Sequence, residues 1–366
     1  MIKVGITGVD GLIGWHLRSF LHGNKNVDVI GADKPEFASG KLLEKFVSDR
    51  DVIVHLAGMN RGDDDEVART NVALTEQLLN ACDAAGVRPH IIFSSSTHIH
   101  RGTPYGNSKK KCAELIRAWS SSVKAPFTNL ILPNVFGESG RPFYNSAVST
   151  FCFQLANGQT PEVLQDAEIE ILHAQRVARE ILALIEKPVD GDMTLTGYKI
   201  SVSRLLSKLT QMAKSYSGHI IPDLRDGHDL DLFNTYRSYL FPGKVPVGVE
   251  LKRDARGYLF EASKTENGGQ TFISSTGLGI TRGNHYHTRK VERFLVIKGK
   301  AVIRIRKLFS GEIKEFAVDG ASPVYIDIPT LHTHNITNTG DGELMTLFWA
   351  NEIFDSNKPD TYQETV

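Results

Sequence analysis

Ile2-Lys3-Val4-Gly5-Ile6-Thr7-Gly8-Val9-Asp10-Gly11-Leu12-Ile13-Gly14 decides the first half of the fold. The opening six residues read as a short β-branched strand. Glycines at 8, 11 and 14 follow at once, and an apolar run over 15–21 begins a helix. Such a loop lets backbone N–H groups approach a pyrophosphate, whose charge sits at the positive end of the helix. The bland alternative is a tight turn without a ligand. The strand before and the helix after favour a coenzyme loop, so Gly8, Gly11, Leu12, Ile13 and Gly14 are expected to bind one.

Outward from the loop the pattern repeats. Further strands are predicted over 27–32, 52–57, 90–95 and 127–132, with helices between them. In the stretch 66–82, Val67, Leu74, Leu78 and Ala81 share one helical face. This alternation predicts an α/β fold, a Rossmann-type doubly wound parallel sheet. Asp33 closes the second strand, 19 residues past Gly14. An acid there takes the adenosine ribose hydroxyls and repels a 2′-phosphate, whereas the neighbouring Lys34 would welcome that phosphate. NADPH and NADH both remain open.

The composition bounds the function. The chain has 366 residues, which at roughly 100–200 residues per domain suggests two domains. Lys+Arg and Asp+Glu are both 42, so the basic excess of a nucleic-acid or membrane-surface protein is missing. Cys82, Cys112 and Cys152 are an odd number without metal or redox spacing, and they read as reduced thiols. A strand at residue 2 leaves no leader ahead of the fold, and no apolar run approaches a membrane span. A cytoplasmic location is expected.

After about residue 245 helical periodicity fades, and glycines punctuate short runs such as 294–297, 301–306 and 324–328. This texture predicts an antiparallel sandwich or barrel. Phe241-Pro242-Gly243-Lys244-Val245-Pro246 reads as the join, giving domains 1–243 and 244–366.

Tyr105-Gly106-Asn107-Ser108-Lys109 sets a phenol and an ammonium four residues apart, on one face of a helix. The cation is expected to lower the tyrosine pKa, so that the phenol can exchange a proton with a carbonyl or alcohol oxygen. Ser94-Ser95-Ser96 ends the fourth strand, and a hydroxyl there can hold the same oxygen. The pair alone would also suit an ordinary surface helix start.

Taken together, the glycine loop, His55-Leu56-Ala57-Gly58, Asn71, the serine run, Tyr105/Lys109 and Leu132-Pro133-Asn134-Val135-Phe136-Gly137 resemble the extended short-chain dehydrogenase/reductase family over about residues 1–240. The resemblance implies Tyr105 as proton donor, Lys109 as its tuner and ribose ligand, and Ser96 as the partner that holds the oxygen. It places Leu56 and Ala57 on the adenosine side and Asn134 near the sugar or nicotinamide. Many relatives carry an acidic Val-x-Asp stretch near His173, where this chain reads Gln175-Arg176-Val177-Ala178-Arg179-Glu180.

Gly279, His285, His287, Glu292 and Gly299 are spaced Gly-x5-His-x-His-x4-Glu-x6-Gly. Histidines one residue apart point the same way from a strand. The stretch 329–338, which contains His332 and His334, supplies a fourth ligand. Three imidazoles and a carboxylate suit a divalent first-row metal, with zinc the plainest choice. This pattern resembles the cupin family over about residues 245–366, which implies His285, His287, Glu292 and His334 as the metal ligands. Leu331 stands where many cupins have glycine, and His332 is either a spare acid/base or an exposed polar residue. The stretch Asp254-Ala255-Arg256-Gly257-Tyr258-Leu259-Phe260-Glu261 resembles the opening strands of nucleotide-sugar epimerases.

The whole chain resembles a family of capsular-polysaccharide enzymes in which the two domains are fused. The resemblance implies C3 epimerisation and then C4 keto reduction of a UDP-4-keto-6-deoxy-N-acetylhexosamine. The product is a UDP-2-acetamido-2,6-dideoxy-L-talose type precursor of UDP-N-acetyl-L-fucosamine. Arg141, beside the Asn145 segment, is the first candidate for the diphosphate, and Asn134 and Asn145 complete the expected substrate side. A homodimer paired through exposed sheet edges is expected. Two rivals stand: an epimerase or dehydratase that retains NAD beside a structural or oxygenase cupin, and a non-catalytic sugar-nucleotide sensor.

Overall fold

The computed structural model describes residues 1–250 and 262–366 in full and, between them, the backbone of two short strands, Lys252–Asp254 and Gly257–Leu259. Apart from those strands, the 254–261 stretch likened above to nucleotide-sugar epimerases lies outside the described residues.

By packing, the chain divides into two compact units, 1–147 with 166–202, and 148–165 with 203–366. In the first unit, strands β1 (Ile2–Thr7), β2 (Val27–Ala32), β3 (Val52–His55), β4 (His90–Ser96) and β5 (Phe127–Leu132) run parallel in the order β2-β1-β3-β4-β5, with Gly191–Thr194 beyond β5. Strand order reverses beside β1, and in such sheets ligands bind at the carboxyl ends of the strands at that switch point. Helices α1 (Leu12–His22), α2 (Lys34–Phe37), α3 (Gly40–Val47), α4 (Asp64–Ala85) and α5 (Pro104–Val123) connect these strands. Leu17 and Leu21 of α1 join the core on one face with Val177 and Ile181, while Phe46, Leu78 and Ile116 of α3, α4 and α5 build the other.

Two boundaries differ from the sequence reading for physical reasons. β3 stops at His55 rather than 57, because the Leu56 and Ala57 N–H groups both turn to donate to Thr7 Oγ1 at 3.2 Å. Helix α4 begins at Asp64 rather than 66, because the Asp63 carboxylate caps it by accepting from the Asp65 and Glu66 N–H groups. Asp64, Asp65 and Glu66 then place negative charge in the first turn, against the helix dipole.

Two histidines are built into this sheet uncharged. His55 is fully buried between Thr7 Oγ1 at 2.8 Å and Thr75 Oγ1 at 3.3 Å. Burial, with the Lys109 charge adding to it, lowers its pKa to about 3. His90 is lowered to about 4 by burial. The unfolded chain therefore binds these protons at about pH 6.5, well before the folded one does. Stability is complete above that value and is lost as pH falls towards 4 and then 3. His55 alone should cost about 1.4 kcal/mol per pH unit below about pH 6. Urea unfolding between pH 7 and 4.5 measures the slope, which His90→Gln should reduce.

The second unit carries the antiparallel strands that its texture predicts. One five-stranded sheet runs Val247–Gly248, Val324–Ile328, Glu292–Lys298, Leu344–Ala350, Gln270–Thr276; the other runs Ile313–Asp319, Lys300–Lys307, His332–Asn338, Thr281–Tyr286, Tyr362–Gln363. Phe294, Ile326 and Phe348 of the first sheet and Ile303, Ile305 and Ile336 of the second share one core. The register slips between Gly283 and His285, and Asn284 there takes φ 60°. This β-bulge re-aims the strand just before the histidines.

By packing, residues 203–246 go with the strands of the second unit. The reason is a polar anchorage within the second unit. Arg293, 1% exposed, holds Asp327 through two hydrogen bonds of 2.7 and 2.9 Å, and its guanidinium lies 3.6 Å over the Tyr325 ring. Tyr216, on helix Val202–Ser217, donates its hydroxyl to the same carboxylate. On helix Gly227–Ser238, Asn234 donates to the Arg289 carbonyl at 2.9 Å and Arg237 to the Ile328 carbonyl at 3.0 Å.

Candidate active site and metal centre

The glycine loop folds tightly on itself. Gly8 adopts φ +67°, and a Cβ there would stand 2.8 Å from the Ala57 nitrogen. A Cβ on Gly14 would stand 2.2 Å from the Gly8 carbonyl oxygen, so no side chain fits without moving the loop. The Gly11 N–H donates to the Gly8 carbonyl at 3.1 Å, and Leu12 and Ile13 open α1. Asp33 sits against the loop. Its carboxylate accepts from the Asp10 N–H at 3.3 Å and the Lys34 N–H at 3.0 Å, and its own N–H donates to Glu36 at 2.7 Å, completing a capping box for α2. Leu56 and Ala57, half-buried, follow β3 beside Gly8. Gly14→Ala should weaken coenzyme binding at least about tenfold, as expected when backbone moves away from a bound pyrophosphate. Fluorescence titration with NADPH and NADH checks this, with Gly40→Ala, where nothing lies within 4 Å, as the control.

Ser96, Tyr105 and Lys109 come from the end of β4 and the start of α5. Thr103 caps α5 by accepting from the Gly106 N–H at 3.1 Å, and Pro104 occupies the first helical position. Tyr105 follows, with Ser96 near its hydroxyl. Lys109, one turn on, is 5% exposed. Its ammonium donates to the Ser94 carbonyl at 2.8 Å and lies 4.7 Å from the Phe93 ring centre. Burial lowers Lys109 to about 8. Tyr105 goes the other way from the expectation. Burial outweighs the nearby Ser96 hydroxyl and raises the phenol to about 12. The Lys109 ammonium points instead to the Ser94 carbonyl and the Phe93 ring.

Asn71 stitches this group to the coenzyme side. It exchanges hydrogen bonds with the Met59 backbone at 2.6 and 2.9 Å, and its amide also donates to Ser108 Oγ at 3.0 Å. Asn134, Arg141 and Asn145 make no hydrogen bond to the triad. Asn134 donates to the Glu170 carbonyl at 3.1 Å, Arg141 lies 5.0 Å over the Tyr144 ring, and Asn145 is exposed in the same loop.

Two residues escape the sequence reading. Arg61 donates to the Phe143 and Tyr144 carbonyls and lies 5.8 Å over the Tyr144 ring, so two guanidiniums gather at that loop. His98 donates its N–H to Ser96 Oγ at 3.2 Å and stands edge-on to Tyr105, with ring centres 6.0 Å apart. Its carbonyl occupies the space a Gly106 side chain would need. No spacing rule marks either residue.

In the second unit the four expected ligands converge. One donor atom from each of His285, His287, Glu292 and His334 lies within 4.8 Å of the others. Glu292 stands 2.8 Å from His287 Nε2 and 3.5 Å from His334 Nε2. Two of the imidazoles are also tied to backbone carbonyls: His287 to Asp360 and His334 to His332. That arrangement fixes the ring and leaves the other nitrogen for a cation. His334 Nε2 is buried without a hydrogen bond, as a lone pair reserved for a metal would be. The donor set therefore fits a divalent first-row cation. His332 is not exposed; its Nδ1 meets the Thr330 carbonyl at 2.8 Å, outside the cluster.

The sequence profile of the NAD-dependent epimerase/dehydratase family matches residues 4–195, just over half of the chain. The chain belongs to that family. It is an NAD(P)H-dependent enzyme of the epimerase and reductase kind. Residues 252–362 match the polysaccharide biosynthesis C-terminal domain. A UDP-2-acetamido-2,6-beta-L-arabino-hexul-4-ose reductase of Pseudomonas aeruginosa is 32% identical over 370 residues, covering 100% of this chain and 99% of its own. The crystal structure of the capsular polysaccharide assembling protein CapF of Staphylococcus aureus is 32% identical, with a TM-score of 0.64 over 99% of this chain and 100% of that one. The Bordetella bronchiseptica enzyme WbmF, solved with NADH, shares the fold at 17% identity and a TM-score of 0.51 over 58% of this chain and 77% of its own. No described helix is long and apolar enough to cross a membrane.

Proposed function

We propose that this enzyme carries out two consecutive reactions on a UDP-linked 4-keto-6-deoxy-N-acetylhexosamine. Residues 244–366 form a cupin domain that epimerises C3. Residues 1–243 form the reductase domain that reduces the C4 ketone, giving a UDP-2-acetamido-2,6-dideoxy-L-talose type precursor of UDP-N-acetyl-L-fucosamine. One observation carries the reading: a Ser96–Tyr105–Lys109 group beside a coenzyme loop and a three-histidine, one-carboxylate cluster occur in a single chain. The full-length likeness to the Pseudomonas reductase supports it.

The order follows from the chemistry. The C3 proton is acidic only while C4 is a ketone, so epimerisation precedes reduction, and reduction fixes the new configuration. When bound, NADPH, or NADH, supplies the hydride, and a divalent metal, zinc first, supplies a Lewis acid. Tyr105 gives its proton to the C4 oxygen, which Ser96 also holds. Lys109 binds the coenzyme ribose and keeps positive charge near the phenolate. Asp33, Leu56 and Ala57 take the adenosine side. Asn134, Arg141 and Asn145 take the substrate, with Arg141 on the diphosphate. His285, His287, Glu292 and His334 hold the metal. The enzyme acts as a homodimer, paired through the free edge of strand Gln270–Thr276, where Ile273 is 57% exposed. A solution mass equal to one chain would exclude the dimer.

Incubation with the 4-keto sugar and NADPH in heavy water tests the whole reading. Deuterium at C3 together with coenzyme oxidation is expected. Oxidation without deuterium would remove the epimerase half, deuterium without oxidation would remove the reductase half, and neither signal would reject the proposal.

A further inference from the structure

The segment 359–366 lies beside strand Thr281–Tyr286, which carries His285. Tyr362 and Gln363 pair with Tyr286 and His285, and the Tyr286 and Tyr362 rings stack with centres 5.1 Å apart. Just before that pairing stands Asp360, whose side chain is fully buried. Residues 288–291 form the loop between His287 and Glu292, two members of the cluster. The Asp360 carboxylate grips that loop. Its Oδ1 accepts from the Thr288 N–H at 3.1 Å and the Thr288 hydroxyl at 2.6 Å. Its Oδ2 accepts from the Arg289 N–H at 3.0 Å and the Lys290 N–H at 2.8 Å. The Arg289 guanidinium faces the carboxylate at 3.6 Å, and the Lys290 ammonium donates to the Pro359 carbonyl at 2.9 Å.

The same residue reaches His287 itself. Its backbone carbonyl accepts from His287 Nδ1 at 2.5 Å. A carbonyl only accepts, so Nδ1 carries the proton and Nε2 a lone pair. That lone pair stands 2.8 Å from a Glu292 oxygen. Two acceptors so close are satisfied by a shared cation. Asp360 takes φ 42°, a conformation in which Asp and Asn are several-fold enriched. One residue thus holds the His287 ring through its main chain and the loop behind that ring through its side chain.

We infer that Asp360 is the positioning residue of the metal centre: its buried carboxylate fixes the loop between His287 and Glu292, and its carbonyl keeps His287 Nε2 turned to the cation. The inference rests on the proposed four-residue centre. Asp360 is not a ligand and acts through His287. The charge and both oxygens matter, because four donors converge on them. Asparagine would set an NH2 group against two of those donors.

Zinc affinity of the full chain, measured by competition with a chromophoric chelator, and the visible absorption of the cobalt(II)-loaded protein test it. The wild-type protein is expected to bind both cations. Asp360→Asn keeps the size and the backbone preference. It should weaken zinc binding at least about tenfold, the lower end for loss of a metal ligand's partner, and change the cobalt bands. Thr288→Val should weaken binding about threefold, within the worth of one hydrogen bond, and Thr288→Ser should restore it. Glu364→Gln, which weakens an ion pair to Arg306 elsewhere in the segment, should change neither affinity nor spectrum. Thermal melting of the metal-free variants checks that they fold, and if Asp360→Asn does not, the Thr288 pair carries the test. Wild-type affinity in both Asp360→Asn and Thr288→Val, or an equal loss in Glu364→Gln, would overturn the inference and leave the metal centre standing. A wild-type protein that takes up neither cation would reject the centre and the inference with it.

Discussion

Tyr105→Phe is expected to cut coenzyme oxidation by about 10²- to 10⁴-fold, the range for loss of a positioned proton donor. The change removes one oxygen and keeps the ring, so the contact with His98 and the start of α5 survive. Coenzyme affinity should therefore change little. The position of the phenol in pH space makes the experiment sharper. With the tyrosine raised to about 12 and Lys109 lowered to about 8, the wild-type phenol is fully protonated across the neutral range while the lysine begins to lose its charge near 8. Reduction should hold steady between pH 6 and 7.5 and fall as Lys109 deprotonates. A Tyr105→Phe enzyme retaining more than a tenth of the activity would show that another group delivers the proton.

His334→Ala should abolish stable metal retention and, with it, deuterium incorporation at C3, while leaving reduction of a substrate already epimerised. His334 is fully buried, its Nε2 makes no hydrogen bond, and Glu292 faces it at 3.5 Å. Removing a partner of a bound metal ligand commonly lowers affinity 10- to 100-fold, so loss of a ligand itself should cost about 10²-fold or more. Metal content measured by mass spectrometry after dialysis reads the first effect, and isotope exchange reads the second. Chelation of the wild-type protein should also lower its melting temperature, since a cation held at about 1,000 times its Kd stabilises by about 4 kcal/mol. A variant that keeps both its metal and its exchange would remove His334 from the centre.

Much of this was legible before any coordinates. The glycine loop announces itself because glycine has no side chain to collide, and the collision at Gly14 is with backbone rather than with anything adaptable. The His/Glu cluster is legible because alternate strand residues share a face, so His285 and His287 had to point together. What spacing could not supply was environment. That burial would raise Tyr105 depends on how β4 and α5 pack around the phenol. His98 and Arg61 act through backbone N–H and carbonyl groups, which every residue type possesses. Their positions therefore carry no compositional mark. Which helices pack with which strands is hidden for a related reason: prolines advertise a bend at 242 and 246, but side-chain anchorage decides which helices travel with which strands.

That anchorage governs how the molecule can be divided. Cutting the chain at residue 243, where its punctuation invites the cut, would strip Tyr216, Asn234 and Arg237 from the carboxylate and carbonyls they cover. The severed C-terminal fragment would show water a freshly opened flank with Asp327 and Arg293 at its centre. Anyone wishing to study the metal-binding part in isolation should start the polypeptide at or before Val148, and a fragment begun at 244 should clump where the longer one stays dispersed.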